Sequence, residues 1–100
     1  MLSIIWEFKV RGSHREEFER EYGSSGTWAQ LFGRSPDFLG TELRRDIAKP
    51  GRYLTIDRWA HSHSFEAFCK TFASEYAALD QKYQALSFEE RLIGQFESVD

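Results

Sequence analysis

The stretch Lys49-Pro50-Gly51-Arg52-Tyr53-Leu54-Thr55-Ile56-Asp57-Arg58-Trp59 contains a turn and the strand that follows it. Proline presets the first φ of a type II turn and glycine accepts the positive second φ, so a tight turn is predicted at residues 49–52. The side chains after the turn alternate with the two-residue period of an extended chain, which predicts a strand over residues 53–59. This strand is expected to run antiparallel to the strand before the turn.

The same two-residue period occurs in three other parts of the chain. In residues 4–10 the apolar side chains alternate with Ile5, Glu7 and Lys9, and in residues 38–46 an apolar side alternates with a charged one. Near the end of the chain the alternation is weaker but still favours a strand. We therefore predict four strands, over residues 4–10, 38–46, 53–59 and 92–99.

Apolar residues at helical spacing occupy the regions between these strands. Ser13-His14-Arg15-Glu16 has the form of a capping box and predicts a helix that begins near His14, and a second short helix is expected between the loop 23–26 and Pro36. Ser62 is predicted to cap the longest helix, and a second box at residues 87–90 predicts a turn before the last strand. The stripe of the longest helix consists of Phe65, Phe68, Phe72, Tyr76, Leu79 and Tyr83.

The order βαββαβ predicts the fold class. It is typical of an α+β, ferredoxin-like domain with a four-stranded antiparallel sheet and both helical segments on one face, here a single domain over residues 1–100. The other face of the sheet would then expose one of the two alternating sets of side chains, and either set includes some of Ile5, Tyr53, Leu54, Ile56 and Trp59. Because a contiguous apolar patch normally marks an interface, we expect two copies to pair face to face as a homodimer, in the manner of a dimeric α/β barrel.

Composition and charge exclude several classes of function. A formal net charge of -3 without a concentrated basic surface argues against a nucleic-acid partner. The single cysteine, Cys69, allows no internal disulfide and fits a cytoplasmic location, and no apolar run is long enough for a membrane span. His61 and His63 resemble a metal-binding pair, but no third ligand stands at a suitable spacing, so no metal is expected. The sixteen aromatic residues exceed what so small a core needs, and some are expected to line a cavity or an interface.

The predicted third strand carries the best candidates for a functional site. Its period places Tyr53, Thr55, Asp57 and Trp59 on one face, where a phenolic substrate can stack on Trp59 while Asp57 or Tyr53 accepts its proton. In the alternative interpretation, Asp57 forms a salt bridge with an arginine and Trp59 belongs to the core. The sequence leaves open whether this face points to the helices or to a partner subunit.

Two histidines and several aromatic residues complete the candidate site. His61 and His63 follow the third strand directly, and either can serve as a general base because histidine titrates near neutrality. We expect a hydrophobic cavity wall that contains Tyr53 together with Trp6, Tyr22, Trp28, Phe65, Phe68 and Phe72. These positions also have a purely structural interpretation, with the phenylalanine stripe as core. The loop at residues 23–26 between Tyr22 and Trp28 can be a lid over the cavity, or the two aromatic residues can simply anchor it.

Several motifs together resemble the antibiotic biosynthesis monooxygenase family of dimeric α/β barrels. The stretches that carry the resemblance, over nearly the whole chain, are Trp6-Glu7-Phe8, Phe18-Glu19-Arg20-Glu21-Tyr22-Gly23, Gly26-Thr27-Trp28, Gly40-Thr41-Glu42-Leu43, Arg52-Tyr53-Leu54-Thr55-Ile56-Asp57-Arg58-Trp59 and Phe65-Glu66-Ala67-Phe68. The resemblance implies a pocket between the sheet and the long helix of each protomer. Some members of the family use this pocket to oxygenate polycyclic phenols without metal or flavin.

The resemblance leads to three hypotheses about function. The first is a cofactor-independent monooxygenase-like protein that acts on an aromatic or polycyclic small molecule. The second is a non-catalytic dimer that binds a hydrophobic ligand in the same cavity. The third is a haem-binding or haem-degrading protein, because relatives of that kind use an Asn, a Trp at the position of Trp59 and a helical His. This chain contains no Asn and has no His after Ser64, which argues against the third.

Overall fold

The computed structural model describes residues 1–99. Within this range the chain forms four strands, four helices and two short 3-10 turns at Gly12–His14 and Gln84–Leu86. The strands are β1 (Leu2–Lys9), β2 (Phe38–Arg45), β3 (Arg52–Trp59) and β4 (Glu89–Glu97). The helices are α1 (Arg15–Tyr22), α2 (Thr27–Phe32), α3 (Ser64–Thr71) and α4 (Ala73–Tyr83).

All four strands pair antiparallel in one sheet with the order β2-β3-β1-β4. This order places the first and third strands at the centre and the second and fourth at the edges, which is the ferredoxin-like arrangement, so the predicted fold class is confirmed. The first three strands lie within two residues of their predicted bounds.

The turn between β2 and β3 has the predicted geometry. The backbone N–H of Arg52 donates to the carbonyl oxygen of Lys49 at 3.1 Å, and Gly51 has a φ of 89°. Only glycine adopts that φ without strain. The turn lies inside a longer loop that the Asp46 N–H closes by donating to the Arg52 carbonyl oxygen at 2.9 Å, and beyond it Arg45 pairs with Tyr53.

The helix that the sequence predicts after β3 is interrupted. Phe72 leaves the helical conformation, with φ -114° and ψ 33°, and separates α3 from α4. Thr71 is β-branched and Phe72 is aromatic, and both are weak helix formers. The break lets the Phe72 ring stay against that of Phe68, with the centroids 5.0 Å apart. A continuous helix was thus the wrong prediction, although the apolar stripe itself is present.

Neither of the two residues predicted to cap a helix does so. Ser13 lies in a 3-10 turn, and α1 and α3 begin at Arg15 and Ser64 without side-chain caps. Ser62 is exposed, whereas the buried Ser64 hydroxyl accepts the His61 N–H at 3.1 Å and donates to Asp37 at 3.0 Å. Ser64 therefore ties the start of α3 to the loop before β2, a long-range contact that local motifs do not reveal.

The last strand begins three residues earlier than predicted and lacks the predicted turn at residues 87–90. The N–H of Phe88 already donates to the Lys9 carbonyl oxygen at 2.9 Å, and Glu89 forms an ion pair with Lys9 at 2.7 Å. Because β4 is an edge strand, its polar first residues can pair with β1 while they remain in solvent. The capping-box pattern at Ser87 is therefore coincidental.

The two faces of the sheet differ in what covers them. The helices pack on the face that carries Leu2, Ile4 and Phe8 of β1 and Tyr53 and Trp59 of β3, all buried. The opposite face carries Ile5, Leu54, Ile56 and Phe96 at its centre, all partly or largely exposed, inside a frame of ion pairs that includes Glu42 with Arg58 at 2.5 Å. None of the helices formed by residues 1–99 is long and apolar enough to cross a bilayer.

Candidate functional site

A small cavity lies between the helix-facing side of the sheet and the helices. The sheet contributes Trp6, Phe8, Thr41, Thr55, Asp57 and Glu90 to its wall, and the helices contribute Tyr22, Trp28, Phe32, Tyr76 and Asp80. Its interior volume of about 40 Å³ is room for a few water molecules. The wall is thus mainly aromatic, with a small number of polar groups.

Asp57 is the most deeply buried carboxylate of the cavity. It projects from the central strand β3, and only 8% of its surface is exposed. The Thr41 side chain, directly opposite on β2, donates a hydrogen bond to Asp57 Oδ1. Burial raises the pKa of Asp57 to about 6, and the Thr41 hydrogen bond opposes that rise. Within residues 1–99 Asp57 has no salt-bridge partner, so the arginine pair considered in the alternative interpretation does not form.

The indole of Trp28 offers a hydrogen-bond donor that the protein leaves unused. Trp28 is 8% exposed and lines the cavity, and its Nε1 is buried without an acceptor in hydrogen-bonding geometry among the described residues. Burial raises the pKa of the neighbouring Tyr22 to about 12. The nearby Trp28 N–H opposes that rise, although it does not reach hydrogen-bonding geometry with the Tyr22 oxygen. Burial also raises the pKa of Tyr76. Both phenols therefore stay protonated at neutral pH.

The mouth of the cavity opens between α4 and β4 and is acidic. Asp80 of α4 and Glu90 of β4 are both exposed there, and burial together with the nearby Asp80 charge raises the pKa of Glu90. Leu92 pairs with Trp6 on the helix-facing side, yet it is 44% exposed. The helices thus leave this side of β4 partly uncovered, next to the mouth.

Trp59 lies in the aromatic core and not in the cavity wall. It is fully buried, and its ring lies 5.1–5.5 Å from those of Phe32, Phe38, Phe65 and Phe68. Phe72 packs against Phe68. Among these rings only Phe32 also lines the cavity. Trp59, Phe65, Phe68 and Phe72 therefore pack together behind the cavity and do not line it.

Tyr53, at the other end of β3, also lies outside the cavity lining. Its hydroxyl donates to Glu19 at 2.5 Å, and its ring packs 4.9 Å from that of Phe18. Burial and the Glu19 carboxylate raise the pKa of Tyr53. Its face is nevertheless the one that contains Asp57, so the question that the sequence left open is answered: this face of β3 points to the helices.

His61 and His63 form an exposed pair after β3. Their rings are nearly parallel, with centroids 5.5 Å apart, and neither lines the cavity. The part of the chain that the structure describes contains no group of three or more His, Cys, Asp or Glu side chains arranged to hold a metal ion. The two imidazoles are therefore separate from the group around Asp57.

Several cavity residues were not singled out from the sequence. Thr41 lies opposite Asp57 in the antiparallel register, but counting back through a turn at residues 49–52 would have given Arg44, because the observed loop is longer than that turn. Tyr76 and Asp80 stand four apart on α4 and so share a helix face. Glu90 carried no usable signal, because its strand was predicted to begin after it.

The chain belongs to the antibiotic biosynthesis monooxygenase family, since the sequence model of that family matches residues 1–78. It is similar to SnoaB of Streptomyces nogalater, a cofactor-independent oxygenase, with 25% identity, a TM-score of 0.63, and coverage of 99% of this chain and 93% of that one. It also shares its fold with PA3566 of Pseudomonas aeruginosa (18% identity, TM-score 0.69, coverage 99% and 94%). A third similar structure, an antibiotic biosynthesis monooxygenase, has 16% identity, a TM-score of 0.68 and complete coverage of both chains. Among curated proteins none matches the chain.

Proposed function

We propose that the protein is a cofactor-independent monooxygenase that acts on a hydroxylated aromatic compound, with Asp57 as the general base. The observation that carries the proposal is the buried Asp57 carboxylate, which has no cationic partner among residues 1–99 and lines an aromatic cavity. Membership of the family and the similarity to SnoaB support the class of reaction.

The raised pKa of Asp57 suits it to remove a phenolic proton. A phenol has a pKa near 10. Raising the pKa of Asp57 from 3.8 to about 6 therefore narrows the gap between the two pKa values from about six pH units to about four. Asp57 still remains largely ionised at neutral pH. The Thr41 hydrogen bond occupies Oδ1 and leaves Oδ2 to accept the substrate proton.

The Trp28 N–H can stabilise the anion that proton removal creates. A donor that is buried, fixed and without a partner in the free protein can donate to the developing negative oxygen without first losing another hydrogen bond. The neighbouring Tyr22 hydroxyl stays protonated at neutral pH and so adds no negative charge of its own beside this oxygen. The base and the donor thus act on the same oxygen of the substrate.

The oxygenation step is supplied by the substrate itself. The anion is rich in electrons and reduces O₂ directly, which gives a peroxide on a ring carbon that bore hydrogen. Loss of water from this peroxide leaves a carbonyl group, so that one oxygen atom of O₂ enters the product and the other leaves in water. Protonated Asp57 returns its proton to the peroxide oxygen; the C–H and O–O bonds at that carbon then break, and the released proton and hydroxide leave as the water molecule.

The shape of the cavity indicates how a ring system would lie. Only the hydroxyl-bearing edge of the substrate fits within about 40 Å³, so the remaining rings lie in the open mouth over Trp6 and Leu92. The carboxylates of Asp80 and Glu90 at this mouth disfavour substrates that carry carboxylate or sulfonate groups there.

The proposed functional unit is a homodimer. The face opposite the helices carries Ile5, Leu54, Ile56 and the half-exposed Phe96 at its centre. Two such faces packed together remove this apolar patch from water. With a twofold axis between the copies, a single interface covers the patch on both. The cavity lies on the other side of the sheet and stays open to solvent in that arrangement.

The test is oxygen consumption by the purified protein with anthrone-type and other polycyclic phenols, measured beside Asp57→Asn. We expect uptake that requires the substrate and falls at least a hundredfold in the variant. The matched control is Glu66→Gln, which removes an exposed carboxylate on α3, outside the cavity. Oxygen uptake that survives in Asp57→Asn would refute the assignment of the base.

The second candidate function is non-catalytic binding of a hydrophobic ligand, which the aromatic wall of the cavity favours. The same screen separates the two candidates. A phenol that raises the melting temperature without oxygen uptake indicates binding alone, because any ligand that prefers the native state stabilises it.

A further inference from the structure

A second concave region lies at one end of the sheet, away from the aromatic cavity. It is an open groove of about 890 Å³ between the turn that joins β2 to β3, the segment that leads from β1 into α1, and the start of β4. It shares no lining residue with the aromatic cavity. Six cationic side chains line this basic groove: Lys9, Arg11, Arg15, Lys49, Arg52 and Arg91.

Three of the six cations already have carboxylate partners. Lys9 pairs with Glu89 at 2.7 Å and Arg91 with Glu7 at 3.1 Å, while Arg52 lies between Glu7 at 2.5 Å and Asp46 at 2.9 Å. Six cations against these three carboxylates leave an excess of three positive charges, on a chain whose formal net charge is -3.

The excess belongs to Arg11, Arg15 and Lys49, which form no ion pair with any of residues 1–99. Arg11 is held in position by an aromatic ring, since its guanidinium carbon lies 4.8 Å from the centroid of Phe88. Lys49 stands in the turn itself. The three charges thus come from three separate segments that meet at one groove.

Arg15 gives the clearest sign of a missing partner. Its Nε is buried and has no hydrogen-bond acceptor among the described residues. The turn approaches this guanidinium closely because residue 51 is glycine: a Cβ there would lie 3.1 Å from Arg15 Nη2 and 2.5 Å from the Val10 carbonyl oxygen. The Arg15 residue is only partly buried, but an enclosed N–H without an acceptor is still costly, and an anion that reaches it from the groove would lower that cost.

We propose that the basic groove binds a small phosphate-bearing molecule, with the guanidinium groups of Arg11 and Arg15 and the ammonium group of Lys49 around the phosphate. Arginine presents a planar fork that matches two phosphate oxygens, and three uncompensated cations suit an anion that carries more than one charge. An extended polyanion is a poorer match, because the rest of the chain carries a net negative charge.

In the experiment, the chain of residues 1–100 is titrated with inorganic phosphate and with pyrophosphate in a calorimeter, and sodium chloride keeps the ionic strength constant. We expect saturation at one site per chain and tighter binding of pyrophosphate. Arg15→Gln and Lys49→Gln should each weaken binding about tenfold or more. The matched control is Lys70→Gln on α3, which removes an exposed cation outside the groove.

Three results would overturn the proposal. They are a titration that does not saturate, an equal loss of affinity in Lys70→Gln, and a change of oligomeric state in Arg15→Gln or Lys49→Gln with no phosphate bound by the wild type. The last result would mean that a second copy of the chain occupies the groove. Lys49 is exposed, so its variant keeps the test decisive even if Arg15→Gln destabilises the fold.

Discussion

Thr41 and Asp57 face each other across the β2–β3 pair, and the threonine hydroxyl donates to the aspartate carboxylate beneath the helices. The hydrogen bond stabilises the ionised form of Asp57, while burial destabilises it more strongly. The balance leaves a carboxyl group that titrates about two pH units above its usual value, inside an aromatic wall. Ionisation of Asp57 should therefore raise the rate of proton removal and lower the stability of the fold.

The rate of substrate oxygenation should rise with pH and level off above about pH 7. Asp57 acts as a base only when ionised, and its pKa of about 6 places the midpoint of the rise near that pH. The measurement is kcat/KM for oxygen uptake from pH 4.5 to pH 8. A profile without an inflection between pH 5 and pH 7 would contradict the assignment.

Thr41→Val should move this midpoint upward by about one pH unit, because it removes a donor that favours the ionised carboxylate. The control is Thr55→Val, a change of the same size on β3 that removes no hydrogen bond to Asp57 among the described residues. The midpoint of this control should stay at the wild-type position. Equal shifts in both variants would mean that the hydrogen bond does not set the pKa.

Asp57→Asn should stabilise the protein at pH 8 by about 2 to 3 kcal/mol and have little effect near pH 4. The pKa of Asp57 in the folded protein, about 6, exceeds the 3.8 of an unperturbed aspartate, so ionisation between pH 4 and pH 6 costs folding free energy in the wild type. Urea unfolding at the two pH values measures the difference. The idea fails if the variant is equally stabilising at both.

Trp28→Phe and Trp59→Phe should have different kinetic consequences. Both substitutions remove a buried, unpartnered indole N–H, but only Trp28 lines the cavity. We expect kcat to fall about tenfold or more in Trp28→Phe and to change little in Trp59→Phe, which lies in the core. Thermal unfolding of both variants separates loss of packing from loss of the donor. A larger fall in kcat for Trp59→Phe than for Trp28→Phe would contradict the assignment of Trp28 as the hydrogen-bond donor.

Ile56→Lys should convert the proposed dimer into monomers of 11.7 kDa. Ile56 lies at the centre of the uncovered sheet face, where a charge would be desolvated in a face-to-face pair. The control is Ile47→Lys, at a fully exposed site in the loop after β2. Light scattering at low micromolar concentration gives the mass directly. A wild-type monomer under these conditions would contradict the dimer.

The sequence predicted the sheet well because alternation and turn chemistry are local signals. The Pro50-Gly51 pair marked the connection between β2 and β3, although it did not give their register, and the alternation in β3 placed Asp57 and Trp59 on one face. The break at Phe72 and the early start of β4 were missed, because each depends on packing against distant elements. The site was predicted only in part: Asp57 and Trp28 share the cavity, whereas the roles of Trp59 and the two histidines depended on distances that no local pattern contains.

The helix α4 forms one side of the cavity, and within α4 only Tyr83 is buried. The floor of the cavity, in contrast, belongs to the central strands, which are hydrogen-bonded on both edges. Backbone amides of α4 should therefore exchange with deuterium much faster than those of β3. If α4 is the more mobile of the two, the cavity can widen for molecules of different thickness while the sheet holds Asp57 in place.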